Sequence, residues 1–461
     1  MDRLDKLKTI FSQDKILFDS DSLQHYGKDW TNVYQADPLA IVFPESTEQV
    51  KALVDLANLD NIALVPSGGR TGLSGGAVAG NKEVVVSFER MNKLREFHPL
   101  DRSVICEAGV ITQTLQQFAI DNNLIYPVDF ASSGSSQIGG NIATNAGGIK
   151  VIRYGLTRNW VLGLKVVTGK GDILELNNGL QKNATGYDLR HLMIASEGTL
   201  GFITEATMQL AETPKKLSVV VLGVTDINTI MNVFEAFKET ITLTAFECFS
   251  ELALQHVLQA QNLTRPFEQQ APFYILLEFE NENDSREDQM LSTFEMCSDK
   301  GWIIDAVMSQ SEQQSIDLWR LREDISESIS NLIPYKNDLS VTVSNIARFL
   351  DQLDQMVSTL YADFEVIWYG HIGDGNLHLN ILKPKDMEVK AFFEICENIN
   401  YDIFSLIKKM KGSISAEHGV GMIKRDYLNY SRSEQEIAYM KALKNVFDPN
   451  GIMNPGKIFN S

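Results

Sequence analysis

From Ala40 the chain sets short apolar runs around one amphipathic stretch: IVF at 41–43, PESTEQVKALVDLANL at 44–59, and IALV at 62–65. Strand, helix and strand follow, a βαβ unit. Ser46 with Gln49 supplies both halves of a capping box, and Val50, Leu53, Val54 and Ala57 recur at helical spacing on one face. Two Gly-rich tracts come next, PSGGRTGLSGGAV (66–78) and SSGSSQIGGNIATNAGG (132–148), separated by strand-like EVVVSF and VICEAGV. A third tract, 183–210, ends in an alternating strand. Beyond Pro214 the pattern changes to strand (217–224), helix (226–238) and strand (242–249). It then repeats as strand (273–279), helix (284–299) and strand (302–308). Two such rounds predict an antiparallel sheet covered by helices, an α+β domain over 213–405 that follows an N-terminal domain over 1–212. The remainder, 406–461, reads as a helix and Pro- and Gly-punctuated coil returning to an earlier domain.

At 461 residues the chain exceeds one compact core and predicts two or three domains. The longest apolar run, LSVVVLGV, is too short to cross a bilayer, so no transmembrane segment is expected. The opening MDRLDKLKTIFSQDK has neither the apolar core of a secretory signal nor an Arg-rich, acid-poor bias, so the expected location is the cytoplasm, with peripheral attachment at the inner face of the membrane as a variant. Cys106, Cys248, Cys297 and Cys396 form no CxxC pair and are expected as reduced, buried thiols. A net charge of −19 argues against nucleic-acid partners and requires that an anionic cofactor be met by local, directed donors.

Backbone amides of Gly-rich loops are such donors. Each Gly-x-Gly fails to continue as GxGxxG: Gly169 and Gly171 lead to Leu174, Gly373 and Gly375 to His378, Gly419 and Gly421 to Lys424. There is no Gly-Lys-Ser/Thr triplet either, which argues against NAD and ATP. Either Gly-rich tract alone reads equally as tight turns at strand ends. Two together in one domain favour a pyrophosphate cradle in which Arg70 is the single cation of the first loop. HIGDGNLH (371–378) and SAEHGVG (415–421) hold three of seven histidines beside one glutamate. His378 and Asn380 share one face of a strand, and GDG reverses the chain so that His371 approaches His378. With Glu417 they make a set suited to zinc or manganese rather than calcium; the rival is polar residues in ordinary turns. His418, pointing away from Glu417, is free to act as a base or as an outer hydrogen-bonding group. The helix LWRLREDISESISNLI sets Arg322 and Ser326 one turn apart, a face that either grips a carboxylate or simply meets solvent.

PSGGRTGLSGG, SSGSSQIGGNIATNAGG, YGLTRNWVLGLKVVTGKG and SEGTLGFITE resemble the FAD-binding domain of the vanillyl-alcohol oxidase and p-cresol methylhydroxylase superfamily. HIGDGNLHLN, SAEHGVG and the NPGKI tail resemble the C-terminal domain of FAD-linked D-2-hydroxyacid dehydrogenases, so the resemblance covers nearly the whole chain. It implies an α+β fold: a two-subdomain FAD-binding domain, a ferredoxin-like substrate (cap) domain, and a C-terminal helical segment returning to the FAD domain. It implies FAD contacts from Pro66, Ser67, Gly68, Gly69, Arg70, Thr71, Gly72 and Leu73, from Ser136, Gly139, Gly140, Thr144 and Asn145, and from Glu197, Gly198, Ile203 and Asn454. Neither loop holds a histidine or cysteine, so FAD is expected to be noncovalent. His371, His378 and Glu417 are implied as ligands of a divalent metal, zinc first and manganese second, and His418 as catalytic base. Among members acting on D-2-hydroxyglutarate, the LRE arginine and the lysine of a YK-D-LS tract bind substrate carboxylates; here these are Arg322 and Lys336, with Ser326 and Asn380 beside them. The expected reaction is oxidation of D-2-hydroxyglutarate to 2-oxoglutarate, with D-lactate or D-malate as alternatives. Reoxidation calls for an acceptor such as an electron-transfer flavoprotein or a quinone, and a homodimer is compatible with the family. A zinc hydrolase or a non-catalytic subunit are the readings from other classes.

Overall fold

The computed structural model describes residues 3–31 and 33–460. The chain forms two compact units. The described part of one comprises residues 3–31, 33–147, 155–213 and 417–460, and the other comprises Gly148–Tyr154 and Pro214–Ala416. The second unit thus extends past residue 405 and borrows a seven-residue piece from within the first 212.

In the first unit, Ala40–Val42 and Leu64–Ser67 both pair parallel with Val84–Ser87, and Ile16–Leu17 adds antiparallel at the edge. Parallel strands are covered on both faces, which is why these runs are continuously apolar. The connecting helix Thr47–Asp60 buries Val50, Leu53, Val54 and Ala57 completely, the valine and leucine side chains contributing about 1.5–3 kcal/mol each. Ser46 Oγ caps it by accepting from Gln49 N at 3.2 Å. The expected reciprocal bond is displaced by one residue: Gln49 Oε1 accepts from Glu45 N (2.8 Å) rather than from Ser46. A second, antiparallel sheet runs in the order Leu94–His98, Ser103–Glu107, Gly201–Gln209, Val161–Thr168, Ile173–Leu176. The C-terminal tail follows helix Glu434–Phe447 and returns beside Leu64–Ser67, where Met453 bridges Leu64 and Asn454 N donates to Leu64 O at 2.8 Å.

The second unit is one seven-stranded sheet whose pairings are all antiparallel. Its order is Ile303–Met308, Leu217–Val224, Phe273–Glu280, Leu243–Ser250, Val366–Gly370, Asn376–Ile381, Tyr335–Ser340. The first four are the two expected rounds interleaved in ferredoxin-like order; the last three extend them and carry the histidine tract. Helices Glu251–Ala260, Val343–Leu360 and Val389–Lys409 add to the two expected ones. The expected helix through Arg322 and Ser326 is broken. It runs as Glu312–Glu323, turns at Asp324 (ψ −2°), and resumes as Ile325–Ser328, burying Ile325 and Ile329. All four cysteines are free and buried. No helix among the described residues is long and apolar enough to cross a membrane.

Candidate active site

Leu64–Ser67 delivers the first Gly-rich loop at its C-terminal end, and the second Gly-rich tract forms helix Ile138–Thr144 with its lead-in. The two meet so closely that a Cβ on Gly69 would lie 2.1 Å from Ser135 O, and Gly139 packs at the end of strand Ser103–Glu107, where its Cβ would lie 2.7 Å from Ala108 Cβ. A Cβ on Gly140, in contrast, would meet nothing within 4 Å. Ser67 Oγ and Gln137 Oε1 are buried without hydrogen-bond partners, and a Cβ at Gly68 would sit 3.6 Å from that Gln137 oxygen. Buried polar atoms normally find partners, so open space beside orphaned oxygens and loop amides suits a polar, phosphate-bearing cofactor such as FAD. A cleft of about 260 Å³ lined by Glu89, Gly109, Ile111 and Gln137 adjoins these residues.

Other residues expected at FAD have side chains already engaged. Arg70 pairs with Glu89 at 2.9 Å and lies over the Tyr26 ring at 4.5 Å, so its guanidinium is already engaged. Thr144 Oγ1 bonds back to Gly140 O, and Asn145 Oδ1 accepts from Arg158 N. Gly198 has φ +69° and packs so tightly that a Cβ would come within 2.3 Å of Pro66 Cγ. Ile203 is a buried strand residue. Asn454 Nδ2 donates to the carbonyls of Gly76 (2.9 Å) and Glu197 (2.7 Å).

Glu197 has a role that spacing could not reveal. Its buried carboxylate accepts from Val420 N and Gly421 N, both at 2.8 Å, while Ser74 Oγ donates to the carbonyls of His418 (2.7 Å) and Gly419 (3.0 Å). Met422 N returns to Ser74 O at 2.8 Å. The backbone that carries Glu417 and His418 is therefore held by two side chains of the flavin-loop region in the same unit. Burial raises the Glu197 pKa, opposed by the two amides.

In the second unit the strand registers place the remaining residues. Lys336 pairs across the strands with Asn380, Asp338 with His378, Tyr369 with His378, and Phe249 with Tyr369. Directly opposed residues share a face, and alternation adds Glu247 to it. His371 lies just past Val366–Gly370, and the GDG reversal, with Gly375 at φ +89°, brings the two imidazoles to 5.2 Å between ring centroids. Each histidine has a buried carboxylate near Nδ1: Glu247 lies 2.9 Å from His371 Nδ1, and Asp338 lies 3.7 Å from His378 Nδ1. Asn376 Nδ2 steadies Asp338 at 2.9 Å. Imidazole pairs oriented by carboxylates suit a borderline divalent metal.

Arg322 reaches this face from helix Glu312–Glu323 and is buried, 5% exposed, rather than solvated. Its Cζ lies 4.7 Å from the centroid of the Tyr369 ring and its Nη2 2.8 Å from Glu247 Oε2. The charges are paired, yet the N–H groups of Nε and Nη2 point at no acceptor. Asn380 Nδ2 is likewise unpartnered. Lys336 donates to Ser326 Oγ at 3.1 Å, a neutral partner, and burial lowers its pKa. Among the described residues no carboxylate pairs with Lys336. The helix break did not separate Ser326 from its neighbours; it turned the hydroxyl to Lys336.

Glu417 and His418 follow Ala416, whose N–H donates to Asp338 O at 3.3 Å, and Ser415 bridges Asp338. Covalent continuity alone thus starts Glu417 one residue from the strand that faces His378. Glu247, Asp338, Tyr369 and Gln137 were absent from the expected site. Only Glu247 carried a usable signal, a lone charge inside the apolar run LTAFECFS.

Residues 38–177 match the family of FAD binding domains, and residues 213–458 match the C-terminal domain of FAD-linked oxidases. The chain belongs to the FAD-linked oxidases. It is 61% identical over 456 residues to D-2-hydroxyglutarate dehydrogenase of Stutzerimonas stutzeri, covering 99% of this chain and 98% of that protein. It is 49% identical to D-2-hydroxyglutarate dehydrogenase of Xanthomonas citri pv. viticola, covering 95% and 92%. In fold it resembles substrate-bound p-cresol methylhydroxylase, with a TM-score of 0.76 over 99% of this chain and 96% of that one at 15% identity.

Proposed function

We propose that the protein is an FAD- and metal-dependent dehydrogenase that oxidises D-2-hydroxyglutarate to 2-oxoglutarate. The reading rests on one observation: a half-buried lysine, Lys336, without a carboxylate partner, on the same sheet face as the unpartnered donors of Arg322 and Asn380. Glu247 answers Arg322 and Asp338 faces His378, but no carboxylate answers Lys336, and the second carboxylate of a dicarboxylate substrate would supply one. The similarity to the two bacterial dehydrogenases supports the same substrate. Family membership over nearly the full length leaves the hydrolase reading without support.

When bound, FAD would supply a hydride acceptor for the substrate C2–H bond, and a divalent metal, zinc or manganese, would supply Lewis acidity toward the hydroxyl. Ser67, Gly68, Gly69 and the amides of the second loop would hold the cofactor noncovalently. His371, His378 and Glu417 would hold the metal, a candidate ligand set by donor type. Arg322 and Lys336 would orient the two carboxylates, with Asn380 and Ser326 fixing the reach of Lys336. His418 would take the hydroxyl proton at an imidazole nitrogen, its backbone kept in place by Ser74. Turnover would require an electron acceptor, such as an electron-transfer flavoprotein or a quinone.

Anaerobic mixing with D- and L-2-hydroxyacids, followed by flavin absorbance, tests this. D-2-hydroxyglutarate should bleach the flavin rapidly, the L-acid should not, and a strong chelator should abolish bleaching. Equal bleaching by D-lactate would sink the dicarboxylate assignment, and indifference to chelation would sink the metal.

A further inference from the structure

Glu247 lies in the middle of Leu243–Ser250, and its residue is 1% exposed. A carboxylate at that depth is costly unless paired, and two partners from different elements meet it. His371 Nδ1 lies 2.9 Å away and Arg322 Nη2 2.8 Å away. An ionised carboxylate can only accept, so the hydrogen between it and His371 sits on Nδ1 and makes Nε2 the lone-pair nitrogen of the neutral ring.

We infer that Glu247 is a positioning residue shared by the two functions of this sheet face: it presents His371 Nε2 to a metal and at the same time cancels the charge of Arg322. The inference rests on the metal reading above. Its second half redistributes the electrostatics of substrate binding. The Arg322–Glu247 pair is neutral as a unit, so Arg322 offers directed N–H donors, while Lys336 is the cation that distinguishes a dicarboxylate from a monocarboxylate. Nothing in the spacing of the sequence links position 247 to 322 or 371; three separate elements bring them together.

Metal binding separates these roles from simple fold support. Purified holoenzyme is compared with Glu247→Gln, Arg322→Met and the double variant, reading metal per FAD, apparent zinc affinity by chelator competition, and Tm. Glu247→Gln should weaken zinc about 10–100-fold, and excess zinc should restore loading. The double variant removes both buried charges together, avoiding an orphaned guanidinium, and should show the same weakened affinity. Arg322→Met alone should retain wild-type affinity. Zinc affinity in Glu247→Gln within about twofold of wild type would overturn the inference, as would equal loss in Arg322→Met. A wild-type protein that binds no divalent metal would overturn the metal reading and this inference with it. Normal metal in wild type and in Glu247→Gln would overturn this inference alone.

Discussion

The two units prepare for ligands by opposite means. In the first, glycines bring backbone to backbone: Gly69 sits where a Cβ would be 2.1 Å from Ser135 O, Gly198 where it would be 2.3 Å from Pro66 Cγ, and the one cation of the first loop is already paired with Glu89. In the second, the face is made of charged and imidazole side chains from separate strands, a turn and one helix, buried at Glu247, Arg322, Asp338, His371 and His378 and half-buried at Lys336. Main-chain donors need room and fail by steric exclusion. Charged side chains need partners and fail when one is removed. Substitutions in the Gly-rich loops of the first unit should therefore change cofactor occupancy, and those on the sheet face of the second should change metal, turnover and substrate choice at constant flavin content.

The hardest test of that contrast is His378→Ala. Losing several kcal/mol of metal assistance should lower kcat roughly a thousandfold, with the FAD-to-protein absorbance ratio unchanged. Loss of flavin in that variant would break the comparison. Next comes a pair of glycine replacements. Gly69→Ala forces two backbones apart and should cost about 1–3 kcal/mol, seen as a lower Tm together with lost FAD. Gly140→Ala meets open space inside a helix, so the apoprotein should keep its Tm or gain up to about 1 kcal/mol while FAD binds more weakly. Equal FAD affinity in Gly140→Ala would remove that position from the cradle.

In the second unit, Lys336→Met should lower kcat/KM for D-2-hydroxyglutarate by about 10–100-fold, the worth of a charge-assisted hydrogen bond of roughly 1.5–3 kcal/mol, and leave D-lactate turnover nearly unchanged. The same change should raise Tm, because it removes a half-buried ammonium with a neutral partner. The smallest effect is in the pH profile. Burial lowers the Lys336 pKa, so the free enzyme loses that charge at lower pH than an ordinary lysine would, and kcat/KM for the dicarboxylate should fall correspondingly early as pH rises. D-lactate should lack this limb, and Lys336→Met should abolish it; an identical limb for both acids would assign it to another group.

What the linear chain determined was local. Apolar runs at 41–43, 62–65 and 217–224 became strands because each buries as a unit, and the helical spacing of Val50, Leu53, Val54 and Ala57 chose their buried face. The spacing of His371, Gly375 and His378 likewise sufficed to bring the imidazoles together, since one tight reversal joins them. The flavin family was legible too, because its loops are continuous tracts. The tertiary structure alone decided the rest. Arg322 is buried against Glu247, 75 positions earlier in the chain, and Glu197 acquired the backbone of Val420 and Gly421. Local patterns specify which way a side chain faces along its own element. The partner of a buried charge is set by sheet order and register, which place distant strands edge to edge, and by the cost of leaving that charge unpaired.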